Sequence, residues 1–246
     1  MQVSHALRVG TAAWSIPGPL RADFAGTGTI LDRYARRFDA VEINSSFYRP
    51  HRPATYSRWA AAVPAGFRFA VKMPRSITHE RRLAGTEAEI DVFLDQVRHL
   101  GDALGPLLIQ LPPSLDYDPA EAGAFLKHLR KTFDGPLVCE PRHPGWFGPQ
   151  ASQMLVDHRI ARAAADPPPV PGADRPGGWD GLAYWRLHGS PRIYYSNYEP
   201  AQIDAMARTL LASGGIERWC IFDNTAEGLA TGNALGLMER LASLTR

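Results

Sequence analysis

A chain of 246 residues with 45% hydrophobic residues can be one large or two small globular domains, and it can bury a full core. A formal charge of +2 and a pI near 8.6 exclude a protein that coats nucleic acid by bulk charge, though not one with a local basic patch. There is no run of about 18 apolar residues, and Met1 to Arg8 lacks the apolar stretch of a signal peptide. Neither a membrane partner nor export is therefore expected, and the expected compartment is the cytoplasm. The two cysteines, Cys139 and Cys220, sit in apolar strand patterns and read as buried free thiols.

Residues 7–12 form the first predicted strand, with Trp14 after it. Gly26-Thr27-Gly28 resembles part of a dinucleotide loop, but no strand immediately precedes it, so it reads as the turn before a helix. That helix is predicted over 29–38, with Ile30, Leu31, Tyr34 and Phe38 as its inner stripe. The second strand, Val41 to Asn44, alternates apolar and polar and opens into a polar loop, Ser45 to Pro50. A short helix over 53–62 has proline in its first turn, and a third strand covers 67–73. A charged loop follows over 74–85. Thr86 and Glu89 read as a capping box for a helix running to about 104.

The fourth strand, 107–111, is stopped by Pro112-Pro113. Asp118 as cap and Pro119 at the first position predict the next helix, which ends near Phe133. A fifth strand covers 136–140, a short helix 149–158, and a weak alanine-rich sixth strand 160–165. The Pro/Gly-rich stretch 166–181 has no helical period and reads as a long loop in place of a helix. Strand seven (182–188), a helix (200–212), strand eight (218–222) and a last helix ending near 244 complete the chain.

Eight strands alternating with helices imply a parallel sheet, and about 31 residues per unit is the size of a TIM-like (β/α)8 barrel in one domain. The rival, a doubly wound sheet, needs a glycine-rich first turn that Gly10-Thr11-Ala12-Ala13-Trp14 does not supply. The long polar segments follow strands, which places the candidate site at the barrel's C-terminal mouth.

The motifs Val9-Gly10-Thr11-Ala12-Ala13-Trp14, Val41 to Tyr48, Phe69-Ala70-Val71-Lys72-Met73-Pro74, Gln110-Leu111-Pro112-Pro113, Cys139-Glu140-Pro141-Arg142-His143, Tyr184 to Gly189 and Phe222-Asp223-Asn224-Thr225 span nearly the whole chain in order. With them the chain resembles the DUF72 (YecE-like) family of uncharacterised bacterial and archaeal proteins. The resemblance implies a TIM-like barrel and brings no activity.

Strand parity turns Glu42, Asn44, Lys72, Gln110, Glu140, Arg142, Arg186 and His188 inward. For strand eight, parity leaves Asp223 and Asn224 as alternatives. Three carboxylates against Lys72, Arg142 and Arg186 are balanced, so one reading is a structural ion-pair network sealing the barrel top. The favoured reading is a pocket for a polar, anionic small molecule such as a sugar, phosphorylated metabolite or nucleotide. In it Glu42 and Glu140 are the candidate acid and base, Lys72 is an electrostatic anchor in preference to a nucleophile, and the chemistry needs no metal. Asn44, Tyr48, Gln110, Arg142, His143, Arg186, His188, Asp223 and Asn224 are the candidate ligand contacts. No cofactor motif is read. A metal between His143, His188 and Glu140 or Asp223 is the weaker reading. The basic loops with Arg49, Arg52, Arg75, His79, Arg81 and Arg82, together with nearby aromatics, make a nucleic-acid-binding or repair-type barrel the alternative.

Overall fold

The computed structural model describes residues 7–213 and 217–245. Met1 to Ala6, most of the segment read above for a leader, lie outside them. Strands β1 (Leu7–Thr11), β2 (Ala40–Ile43), β3 (Arg68–Lys72), β4 (Leu104–Gln110), β5 (Leu137–Glu140), β6 (Ile160–Arg162), β7 (Ala164–Asp166), β8 (Gly177–Gly178), β9 (Leu182–Leu187) and β10 (Glu217–Phe222) form two sheets. Their orders are β1-β10-β9-β7 and β2-β3-β4-β5-β6-β8, parallel throughout except for the β6–β8 pair. Helices α1 (Ile30–Tyr34), α2 (Ser45–Tyr48), α3 (Pro53–Ala61), α4 (Glu87–Val97), α5 (Pro119–Thr132), α6 (Pro149–Asp157), α7 (Pro200–Ala212) and α8 (Leu229–Leu244) connect them.

The result is a TIM-like ring whose hydrogen bonding is broken at two seams. At one, the predicted sixth strand divides at Ala163: β6 pairs with β5, and β7 pairs with β9. At the other, β1 and β2 share the bridge Ala12–Glu42. Beside that bridge the Tyr34 phenol substitutes for a ladder bond. Its oxygen accepts from the Thr11 N–H (2.9 Å) and donates to the Ala40 carbonyl (3.2 Å). Gly10 completes the seam, because a Cβ there would strike the Ala40 carbonyl oxygen. Tyr34→Phe strands a buried donor and acceptor, so it should cost about 1–3 kcal/mol in urea unfolding. A cost below about 0.5 kcal/mol would mean that the seam does not depend on the phenol.

Inward-facing strand residues fill the barrel: even-numbered on β2 to β5 and β9, odd-numbered on β6 and β10. Ala40, Ala70 and Ala161 are small on one side, while Tyr184 and Trp219 stack at 5.9 Å on the other. Small side chains opposite large ones let one layer close without voids. The alternate positions of each strand face outward against the helices and join the larger apolar cluster.

Several predicted elements differ locally. The first helix stops at Tyr34, not Phe38, and Ile30 is exposed rather than inward. The polar loop after β2 begins as α2. Thr86 does not cap α4: its buried hydroxyl donates to the Leu83 carbonyl instead. Helix α4 also ends at Val97, where a tighter turn takes over to Ala103 through Gly101 at φ 55°. Asp118 caps α5 as expected, accepting from Ala120 and Glu121 N–H. Between β7 and β9 no helix forms. That segment adds β8 antiparallel to β6, with Ala173 buried and the Trp179 N–H on the Ile160 carbonyl. Among the described residues no helix is long and apolar enough to cross a membrane. Cys139 and Cys220 are buried free thiols.

Candidate functional site

Arg186 on β9 is the hub of the barrel's C-terminal end. It projects inward from the parity of Leu182 and Tyr184 and reaches three strands across the ring. Its Nε and Nη2 fork onto Glu42 (3.0 and 2.7 Å), Nη1 meets Glu140 (2.6 Å), and Nη2 also meets Asp223 (2.9 Å). The Tyr184 hydroxyl donates to the same Glu42 oxygen as Nε, at 3.0 Å. A fork onto a carboxylate is the strong form of such a contact. Arg186, Glu42, Glu140 and His188 are each no more than 1% exposed.

His188 continues the network upward. Nδ1 lies 3.0 Å from Asp223 Oδ2 and Nε2 lies 2.8 Å from Glu140 Oε1. Arg142 Nη2 is 2.6 Å from that same Glu140 oxygen and 2.8 Å from His188 Nε2. One ring nitrogen has one role, so His188 Nε2 either donates to Glu140 or accepts from Arg142.

The electrostatics follow from this crowding. Burial by itself would raise the Glu140 carboxyl, but Arg186, then Arg142 and His188, hold it well below the usual carboxylate range. Asp223 is likewise lowered: burial opposes the shift, and Arg186 and His188 outweigh it. The same carboxylates, Glu140 first, hold Arg186 charged against the pull of burial.

Lys72 stands apart from this network. It is half-buried, and its Nζ sits 4.1 Å from the centre of the Phe47 ring. Among the described residues it makes no ion pair with a carboxylate. Burial first, and Arg186 second, bring its pKa down to about 8, against the pull of Glu42, Glu140 and Asp223. Helix α2 builds this pairing. It presents Phe47 to the lysine, while the Ser46 hydroxyl donates to the Lys72 carbonyl at 2.7 Å.

The other expected site residues divide between this cluster and its surroundings. Asn44 Nδ2 reaches Asp223 Oδ1 at 3.4 Å, and its Oδ1 is buried without a partner, as is Arg142 Nε. Strand eight's ambiguity resolves to Asp223, in phase with Trp219 and Ile221. Asn224 instead donates to the Ser196 carbonyl and to Asn233. Gln110 turns back to the Leu111 carbonyl (2.8 Å). His143 accepts from the Gly145 N–H and lies 3.0 Å from Asp116, away from His188. Tyr48 is 77% exposed.

The basic rim is largely spent on its own neighbours. Arg75 pairs with Glu80, Arg81 with Glu89, and Arg82 donates to Ser114. Burial, then Lys72, bring the His79 pKa down to about 4, so the ring is neutral at pH 7. Tyr194, one of the loop aromatics weighed only as a group, stands beside His188. Held at φ 72°, it donates its N–H to the His188 carbonyl and sets its ring edge-on at 5.9 Å from the imidazole. A bulky residue in the left-handed region is rare and marks a constrained site. The available signal was an aromatic pair soon after His188-Gly189.

The sequence pattern of the family described as "Protein of unknown function DUF72" matches residues 8–246. The chain belongs to the DUF72 family. A DUF72 family protein of Enterococcus faecalis V583 has the same fold at 23% identity, with a TM-score of 0.80 over 96% of each chain. The UPF0759 protein YecE of Escherichia coli K12 is 30% identical over 155 residues, 62% of this chain and 54% of YecE. The matched segment thus spans about half the length of such curated relatives. The fold likeness extends to a TIM-barrel enzyme, the 3-keto-D-glucoside 4-epimerase of E. coli, at 12% identity and a TM-score of 0.54 over 96% of this chain and 100% of that one. At that identity the likeness concerns the fold alone.

Proposed function

We propose that this DUF72 protein binds a polar, anionic small molecule at the C-terminal mouth of its barrel and acts there in the cytoplasm. The observation that carries the reading is a set of unmet polar groups on residues that flank the Arg186 network: Asn44 Oδ1 and Arg142 Nε are both buried without a partner, and the Lys72 ammonium has no carboxylate partner. Buried polar groups normally find partners, so a concentration of unmet ones marks a place where a ligand completes the set. In this reading Lys72, Arg142, Asn44 and Tyr194 touch the ligand. Glu42 and Glu140, expected as candidate acid or base, serve as structural struts, because Arg186 and its neighbours already occupy their oxygens. Arg186, Asp223 and His188 complete that charged floor.

The test is a thermal-shift screen followed by calorimetry. Its panel holds sugar phosphates, nucleotides, short dicarboxylates and single-stranded DNA, each with and without divalent metal. A ligand that binds the native state raises the melting temperature by mass action. Lys72→Ala and Arg142→Ala should each weaken the best small anion by about 10- to 100-fold, the scale of one charge-assisted hydrogen bond. Equal affinity in both variants would end the reading. A shift from DNA alone, lost at high salt, would transfer the site to nucleic acid. The paired rim arginines speak against that outcome.

A further inference from the structure

We propose that Lys72 is an imine-forming amine, and that the ligand of the mouth is therefore a small aldehyde or ketone carrying an anionic group. This rests on the ligand-site reading above and adds a reaction to it.

The geometry separates Lys72 from a simple anchor. An anchoring lysine would be pinned by the carboxylates around it, yet Glu42, Glu140 and Asp223 are committed to Arg186. The amine instead lies over the Phe47 ring with no carboxylate in contact. Burial and the nearby Arg186 guanidinium favour the neutral amine, the nucleophilic form, over the ammonium that the ring face attracts. With a pKa of about 8, roughly a tenth of it is neutral at pH 7.

The choice of residue points the same way. The chain has three lysines, Lys72, Lys127 and Lys131, and uses arginine for every other permanent cation. Lys127 and Lys131 are exposed on α5. Within the barrel's charged end, Arg142 and Arg186 supply the cations that hold carboxylates or the anionic group of a ligand. A guanidinium stays protonated and does not attack carbonyl carbon, whereas an ammonium can lose its proton. The one lysine at the mouth therefore occupies the place where that difference matters.

The step balances without a co-reactant. The neutral Nζ adds to the carbonyl carbon, and the carbonyl oxygen takes up two protons and leaves as water. One of those protons was on the amine that attacked, and the other is the one the ammonium shed on becoming neutral. Net, ammonium and carbonyl give iminium and water. The positive charge stays where the ammonium had it, over Phe47 and within the field of three carboxylates.

Reductive trapping tests this on the whole 246-residue chain. Glyceraldehyde 3-phosphate, pyruvate and glyoxylate are each supplied with cyanoborohydride, and the adducts are mapped by peptide mass spectrometry. Lys127 and Lys131 report background modification within the same molecules. At least one probe should label Lys72 tenfold or more above them, with a rate that rises through about pH 8. Lys72→Arg should abolish the preference. Labelling of Lys72 no faster than the two α5 lysines by all three probes overturns the proposal, and this comparison needs no variant to fold. Glycerol 3-phosphate, which has no carbonyl, separates the two levels. If it stabilises the wild type but not Lys72→Ala while trapping fails, the imine falls and the anion site stands. If trapping fails and no anion shifts the melting temperature, both fall.

Discussion

Arg186→Ala should lower the melting temperature by about 6–20 °C or leave the protein insoluble. Removing one partner of a buried ion pair costs about 3–5 kcal/mol, because the charge left behind is uncompensated. Here one guanidinium serves Glu42, Glu140 and Asp223 together, so its loss exposes three buried carboxylates to one another. For a chain of this size about 1 kcal/mol shifts the melting temperature by roughly 2–4 °C, which gives the figure above. Arg186→Lys should recover only part of the loss, since an ammonium cannot fork onto Glu42 while also reaching strands β5 and β10. Adding Glu42→Gln to Arg186→Ala should restore several degrees by removing one stranded charge. A melting temperature within 2 °C of wild type for Arg186→Ala would mean that water or protonation relieves the cluster, and the network would not be structural.

That network shows where sequence reasoning carried and where it stopped. Period-two alternation in short strands was enough to count eight units and to turn Glu42, Lys72, Glu140, Arg186 and His188 inward. Parity also contained the answer for strand eight, since Asp223 shares its phase with Trp219 and Ile221. What parity cannot say is which inward groups meet. Arg186 and Glu42 are 144 positions apart, and only ring closure makes Arg186 the shared partner of three carboxylates. Lys72 therefore read as an electrostatic anchor beside carboxylates that the closed ring commits to Arg186. Local misreadings had a different origin. Thr86 has the letters of a capping box, but its buried hydroxyl donates to the Leu83 carbonyl and makes no cap bond to α4. The basic rim read as free charge because composition was counted before neighbours. Arg75 with Glu80, and Arg81 with Glu89, are close enough in sequence that their pairing was legible.

Stability should depend on pH in two windows with one sign. The folded-state values of Glu140 and Asp223 are depressed, so their contribution is fully present above the unfolded values of about 4.3 and 3.9 and disappears as pH falls through the folded ones. The melting temperature should therefore hold from pH 7 to about 5 and drop steeply below about 4. The expected loss is about 10 °C, because protonating a buried partner is equivalent to breaking its pair. Glu140→Gln should start lower at pH 7 and fall less on acidification. Lys72 acts at the alkaline end. Its folded pKa is about 8 against 10.5 unfolded, so between those values the unfolded chain holds the extra proton and stability rises with pH. Other alkaline titrations are common to wild type and Lys72→Met, and subtracting the two isolates this one. The wild type should gain on the variant from pH 7.5 to 10. Parallel curves would place the Lys72 amine in water, and its standing as a desolvated nucleophile would go with them.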